Sequence, residues 1–484
     1  MSATAWWALL CAASTATAAH ADAFDGVRIR IHDAMVSENV PSIAVAVAQD
    51  GRIVWEEGFG WANVAKRIPA TAHTVYSLAS VSKPVTATGL MVLVEQGKID
   101  LDRPMDDYLG RQKLTAHVGD VRDATVRRFA NHTAGLPTYY QFYYEDEPAK
   151  RPDMDESIRR YGVLIRAPGE ASEYSNFGYG VIEYAMERAS GKSYAQFMRD
   201  EVFLPLGLTE SSVNRNPDFG DRVAVRYGDG ANREPVPFYD FDHRVASAVF
   251  MSAHDLVRFG MFHLQGRLAG QRKAILTERS LDAMRDERMV ADGYGAGFFV
   301  LKRHGLDYFG HTGGMAGVST RMSLYPQRNI AVVVLSNTST GAINEIEAAV
   351  MHVLAPDTIR SDHGFRPDAA LVGHWTGSVE TYQGRVPVKL EIQDIGRVWV
   401  QVANGVRQEA EDVEMSSKGE LAIGRIAGGV GTPDAARYPY ALEFQLKPRG
   451  GTRMDGEVTA RSYERRDRSG NALSYWAEFT KDSP

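Results

Sequence analysis

Ser80 and Lys83 are the first residues whose types and spacing suggest chemistry. They stand three apart in SLASVSKPVTATGLMVLVEQG, residues 77–97. The stretch reads as the start of a helix, so both side chains fall on one face, one turn apart. A serine hydroxyl is a poor nucleophile near neutrality. It needs a base within hydrogen-bond reach, and a lysine at i+3 can be that base if its amine is kept neutral. Pro84 falls in the first turn, where its missing N–H costs nothing. Ala87, Leu90, Met91 and Val94 recur at helical spacing, and Gly97 fits as the stop. The helix is therefore expected to bury one stripe and to present its N-terminus, where backbone N–H groups favour a developing negative charge. Alone the pair is a weak signal, because a serine cap followed by a solvated lysine has the same pattern.

Two further blocks strengthen it: Tyr174-Ser175-Asn176 and His311-Thr312-Gly313. Tyr174 and Asn176 stand two apart in an extended segment and project to the same side. His311 and Gly313 are two apart on a strand, so both are expected to face a cleft. Gly313 and Gly314 would let a substrate backbone approach closely. The competing reading of Tyr174 alone is a core tyrosine with a satisfied hydroxyl. His132 and Thr133 are read as holding a loop near the cleft, and His254-Asp255 as capping a helix. None of the 13 histidines falls in a His-Glu-x-x-His pattern, and the only cysteine is Cys11, so neither a metal site nor a cofactor is expected.

These blocks need a scaffold. At 484 residues, two or three domains are expected. With 44% hydrophobic and 24% charged residues the composition is that of ordinary globular protein. The net charge, 54 − 61 = −7, and the lack of a basic cluster argue against nucleic acid as a partner. Residues 1–21 carry no Lys, Arg, Asp or Glu; a short apolar run is followed by Ala19-His20-Ala21, which fits signal-peptide cleavage. The mature chain would then have no cysteine and no membrane span, and would be periplasmic or secreted.

Residues 24–40 read as an amphipathic helix. Ser42–Ala48 and Ile53–Trp55 read as strands joined at Asp50-Gly51. Short elements fill 98–137, and the aromatic, acidic stretch 138–156 reads as a loop or lid. Helices are expected at 178–190, closed by Gly191, and at 252–265. Strands return at 307–311, 321–325 and 330–337, and a helix follows near 341–354. This order implies an antiparallel sheet built from both ends of the region with a helical subdomain inserted, an α/β (α+β) fold. Residues 356–370 read as a linker. Beyond it, period-two segments at 386–392, 397–402, 440–446, 457–463 and 474–479 imply a small all-β barrel or sandwich over 371–484.

The three blocks, with NHTAGLP (131–137), PGEASEYSNFGYG (168–180), SAHDLVRFG (252–260) and GHTGGMAGVSTRMSLYP (310–326), resemble the serine β-lactamase and penicillin-binding-protein superfamily. The branch is that of class C β-lactamases, D-alanyl-D-alanine carboxypeptidases, family VIII esterases and D-aminopeptidases. The resemblance covers about residues 24–355 in the family's order. It implies Ser80 as acylated nucleophile, Lys83 as its proton acceptor and Tyr174 as acid/base. For that role the phenol, with a reference pKa of about 10, must fall or be shared with Lys83. It further implies Asn176 as a hydrogen-bond partner of Lys83 and substrate, and backbone N–H groups of Ser80 and Gly314 as the oxyanion hole. The C-terminal domain resembles lipocalin-like domains of some D-aminopeptidase relatives, and is expected to serve oligomer contact, cleft cover or ligand binding.

His311 replaces the lysine that β-lactamases and many carboxypeptidases carry there. A histidine is charged only part of the time near neutrality, so weaker selection for a free substrate carboxylate is expected. The expected activity is a secreted serine acyl-hydrolase acting on small esters, or on amides and peptides containing D-amino acids. A class C-like β-lactamase or D,D-carboxypeptidase is the alternative within enzymes. A non-catalytic binder of peptidoglycan fragments is the alternative outside them. The expected partners are a small molecule or short peptide, with a homo-oligomer through the barrel as a further expectation.

Overall fold

The computed structural model describes residues 23–137, 139, 141–148, 150–228, 234–241, 248–356, 365–394, 396–410, 412–415, 419–433, 435–436, 440–462 and 472–482. The expected leader, residues 1–21, lies outside these, as does most of the expected linker. The chain divides into two compact units between Ala355 and Pro356.

The first unit is built on a seven-stranded sheet. Its order is Phe299–Arg303, Leu306–Met315, Val318–Tyr325, Ile330–Ser336, Ser42–Gln49, Arg52–Asn63 and Ile68–Pro69, and the neighbouring strands pair antiparallel. Ser42–Gln49 lies in the middle, paired with Ile330–Ser336, so the two ends of the region do close one sheet. Asp50 and Gly51 both have positive φ (50° and 75°), the conformation that a two-residue hairpin turn requires. The middle strands are apolar on consecutive residues because both faces are covered. Ala44, Ala46 and Ala48 share a core with Phe259 and Phe262 of the helix Ala253–Gln265. The helices Asp25–Ser37 and Ala342–Leu354 pack against each other and against the sheet.

The expected nucleophile helix forms as a 3-10 turn, Ala79–Val81, running into the α-helix Ser82–Glu95. Gly97 stops it with φ 67°. It does not bury a stripe. Every residue from Ser82 to Leu93 is buried, so the helix runs through the core. Its polar members are satisfied internally. Thr86 Oγ1 donates to Ser82 O and lies 2.9 Å from the Tyr194 hydroxyl; Thr88 Oγ1 donates to Pro84 O and lies 2.9 Å from His263 Nε2. The helix Asn176–Ser190 packs beside it and ends at Gly191 with φ 71°. Part of the expected lid, Phe142–Tyr144, is a strand paired with Tyr239–Phe241. The cap of the Ala253–Gln265 helix is Ser252, whose side chain accepts the Asp255 N–H; His254 and Asp255 lie in its first turn.

The second unit is one antiparallel sheet of nine strands, curled into a half-barrel, with no second sheet among the described residues to make a sandwich. Gly373–Thr381 and Leu421–Ala427 add strands that period-two reading passed over. The side-chain amide of Gln408, near one edge, donates to Ala427 O and accepts the Ala427 N–H, drawing the curl together. Trp375, fully buried, centres the core with Val379, Leu390, Phe444 and Phe479.

Candidate active site

The strand Val75–Ser77 delivers the chain to Ser80 through Leu78 and Ala79. Ala79 has φ 47°, a left-handed conformation that costs a residue with a Cβ about 1–2 kcal/mol. Neighbouring contacts hold it there. Leu78 N donates to Val249 O, Thr320 Oγ1 donates to Leu78 O at 2.7 Å, and Val249 N donates to Ser82 Oγ at 3.1 Å. Gly313 presses against the same turn: a Cβ there would lie 2.4 Å from Leu78 O and 2.4 Å from Thr320 Oγ1. The close approach that demands glycine at 313 is thus made by the protein's own turn, not by a substrate. Gly314 is exposed, and a Cβ there would meet nothing within 4 Å among the described residues.

Ser80 is half-buried and Lys83 fully buried. Lys83 Nζ lies 3.3 Å from Ser80 Oγ and donates to Asn176 Oδ1 at 2.7 Å. It also sits 4.7 Å from the centroid of the Tyr174 ring and 5.7 Å from that of Tyr179. Burial among these neutral neighbours pushes the ammonium pKa well below its usual value, so the amine is available as a base. The Tyr174 hydroxyl hydrogen-bonds to Ser80, yet burial outweighs that bond and pushes the phenol up. Of the two routes expected, a lowered tyrosine pKa or a proton shared with Lys83, the first is not seen: Tyr174 stays a phenol, and the group whose pKa is lowered is Lys83. Asn176 opens its helix because Ser175 caps it, accepting the Gly178 N–H.

His311 is 1% exposed and held at both nitrogens. Nδ1 lies 2.6 Å from Thr312 O, which can only accept, so Nδ1 carries the hydrogen. Nε2 then accepts from the Tyr294 hydroxyl at 2.9 Å. Burial first, and the nearby Lys83 second, push the imidazole pKa down to about 3. His311 is neutral throughout the physiological range, rather than charged part of the time.

Tyr294 was missed in the sequence. Its signal was the glycine-rich run Gly293-Tyr294-Gly295-Ala296-Gly297, where Gly293 and Gly297 have φ 76° and 79°. His132, φ 64°, accepts the Ser175 N–H at Nδ1, so Nε2 carries the hydrogen; it is buried with no hydrogen-bond partner among the described residues. Its ring lies 4.5 Å from those of both Tyr174 and Tyr294. The loop-holding role expected of it is thus joined to contact with Tyr174. The structure therefore brings Ser80, Lys83, Tyr174, Asn176 and His311 together, with Gly313 behind the serine turn.

A buried lysine against a serine, with a phenol and an amide around them, defines a site of the serine hydrolase class. The chain belongs to the Beta-lactamase family, whose model matches residues 27–355. It is 25% identical over 395 residues to penicillin-binding protein 4* of Bacillus subtilis, covering 75% of this chain and 84% of that protein. The octameric penicillin-binding protein homologue from Pyrococcus abyssi superposes with a TM-score of 0.61 at 20% identity, covering 94% of this chain and 99% of that one. The D-amino acid amidase from Ochrobactrum anthropi SV3 gives 0.56 at 22% identity, covering 69% and 100%. At these identities the two structural likenesses speak to the fold.

Proposed function

We propose that the chain is an exported serine acyl-hydrolase acting on small esters, or on amides and peptides containing a D-amino acid. The observation that carries the proposal is the buried Lys83 amine, 3.3 Å from Ser80 Oγ. In acylation, Lys83 takes the hydroxyl proton as Ser80 Oγ bonds to the substrate carbonyl carbon. The oxyanion is met by the backbone N–H groups of Ser80 and Gly314, each such donor being worth roughly a hundredfold or more in rate. The Tyr174 phenol hands its proton to the leaving alcohol or amine and is reprotonated from Lys83. In deacylation a water loses a proton to the same pair, attacks the acyl carbon and releases Ser80.

The neutral His311 supports the substrate class. It offers neither a charge nor a free N–H, so a substrate carboxylate would find no cation at the position where β-lactamases have lysine. A solved D-amino acid amidase with this fold lends support to the amide reading. The second reading, a carboxylate-binding D,D-carboxypeptidase or β-lactamase, is favoured by Arg226. Its guanidinium is buried and stacked 3.8 Å from the centroid of Tyr239, whose hydroxyl donates to Ala316 O just beyond Gly314.

A substrate panel tests the proposal: short-chain p-nitrophenyl esters, D- and L-amino-acid p-nitroanilides and benzylpenicillin, with intact mass read on wild type and Ser80→Ala. Turnover of esters or D-anilides, absent from Ser80→Ala, is expected. Rapid consumption of penicillin with inert esters and anilides would replace it by the second reading. Unchanged activity in Ser80→Ala would remove the catalytic role altogether.

A further inference from the structure

Four residues far apart in sequence meet away from the serine site. Glu56 comes from the strand Arg52–Asn63, His73 from the loop before Val75–Ser77, Glu210 from just before Ser211–Val213, and His254 from the first turn of the Ala253–Gln265 helix. One donor atom from each of Glu56, His73 and His254 lies within 4.8 Å of the other two. His254 Nδ1 is 2.8 Å from Glu56 Oε2, and His73 Nε2 is 3.7 Å from Glu56 Oε1. The two imidazole centroids are 4.7 Å apart.

We propose that Glu56, His73 and His254 form a binding site for a divalent transition-metal cation of the zinc class. Two imidazoles and one carboxylate are the donors such ions prefer, whereas calcium and magnesium want oxygen alone. The spacing suits the ion. Bonds of about 2.0–2.1 Å in a tetrahedron put neighbouring donors about 3.3 Å apart. The two contacts to Glu56, 2.8 Å to one carboxylate oxygen and 3.7 Å to the other, bracket that edge, and one donor atom of each of the three residues lies within 4.8 Å of the others. Water would take the fourth place.

A second observation points the same way. His73 Nδ1 lies 3.0 Å from Glu210 Oε2, which leaves Nε2 directed at Glu56. This is the carboxylate–histidine relay that orients metal-binding imidazoles. Glu210 is itself held by the Ser252 hydroxyl at 2.7 Å, and Arg222 stands 3.9 Å from its other oxygen. Half of the His73 side chain is exposed, which provides an entry path. His73 stands seven residues before Ser80 and leads into the strand Val75–Ser77, which delivers the chain to it. An ion here would tie that lead-in to the Arg52–Asn63 strand and the Ala253–Gln265 helix, stiffening the approach to the nucleophile without touching it. The site has no local motif because its donors come from separate elements, and this is why the sequence reading expected no metal.

The test uses the full-length protein stripped by chelator and titrated with zinc, calcium and magnesium chlorides in a calorimeter, with Tm measured in parallel. One zinc per chain and a raised Tm are expected, with no response to calcium or magnesium. Cobalt should give the intense visible absorption of tetrahedral coordination. His73→Ala should abolish the cobalt spectrum while leaving the circular dichroism of the metal-free protein unchanged. Glu210→Gln should weaken zinc about 10- to 100-fold, as loss of an orienting partner does. Zinc binding equal in wild type and in both His73→Ala and His254→Ala, or no saturable binding by wild type, would overturn the proposal.

Discussion

Asn176→Asp tests the central electrostatic claim, that Lys83 works because burial disfavours its ammonium form. The substitution is isosteric and places a carboxylate oxygen where Asn176 Oδ1 now stands, 2.7 Å from Lys83 Nζ. With an effective dielectric of about 20, two unit charges at the 2.7 Å separation attract by roughly 6 kcal/mol. Desolvation of the new carboxylate and water at the half-buried site reduce this, so a rise of about 2–3 pKa units in Lys83 is expected, or about 3–4 kcal/mol. The sign follows directly. An opposite charge favours the protonated amine and the reaction needs the neutral one, so the pH at which the amine becomes neutral moves up by the same amount, about 2–3 pH units. Acylation should slow below the new Lys83 pKa, reaching about 100- to 1000-fold only at pH values below the wild-type pKa as well, and recover as pH is raised through the new one. The assay is the single-turnover rate with a p-nitrophenyl ester across a pH series, beside Asn176→Ala. The alanine variant loses the hydrogen bond without gaining a charge, and should lower the rate by a similar factor at every pH. If Asn176→Asp leaves the pH profile where the wild type has it, or loses rate uniformly like Asn176→Ala, the neutral-lysine argument is wrong.

The glycine pair gives a steric test. Gly313→Ala drives a methyl to 2.4 Å from Leu78 O and should displace the serine turn, cutting kcat/KM about 100-fold, whereas Gly314→Ala, with nothing within 4 Å, should leave Tm unchanged. Equal Tm and equal rates for the two variants would contradict the packing described. Acid stability gives another. Burial alone would raise the Glu347 pKa, but hydrogen bonding from His304 and the charges of Arg303 and Arg321 hold it down to about 2. A carboxyl held below its unfolded value stabilises the fold above that value, so this contribution should be lost as pH falls from about 4.5 toward 2. Glu347→Gln should flatten the acid limb of Tm against pH over that window, and an unaltered limb would contradict it.

Much of this protein was legible before its structure. Ser80–Lys83 at helical spacing, the 174–176 and 311–314 blocks, the Asp50-Gly51 hairpin and the Gly97 and Gly191 stops are local patterns, written in neighbouring residues. The same holds for the β texture after the linker, although Gly373–Thr381 and Leu421–Ala427 escaped because glycines interrupt their alternation. Local patterning settled which residues could do chemistry and in what order the elements run.

Tertiary structure decided the protonation states. The Lys83 pKa is lowered because the whole Ser82–Leu93 segment is enclosed, a fact that a stripe of apolar residues cannot convey. His311 is neutral because burial, and then the nearby Lys83, disfavour its charged form, and Tyr294, a residue with no motif, reaches its free nitrogen. Gly313 is required by the Leu78–Ala79 turn, more than 230 positions earlier (313 − 79 = 234), and the Glu56–His73–His254 cluster joins three elements that share no local signal. Desolvation and through-space charge depend on what the fold packs around a group, and those neighbours are set by three-dimensional packing rather than by sequence spacing.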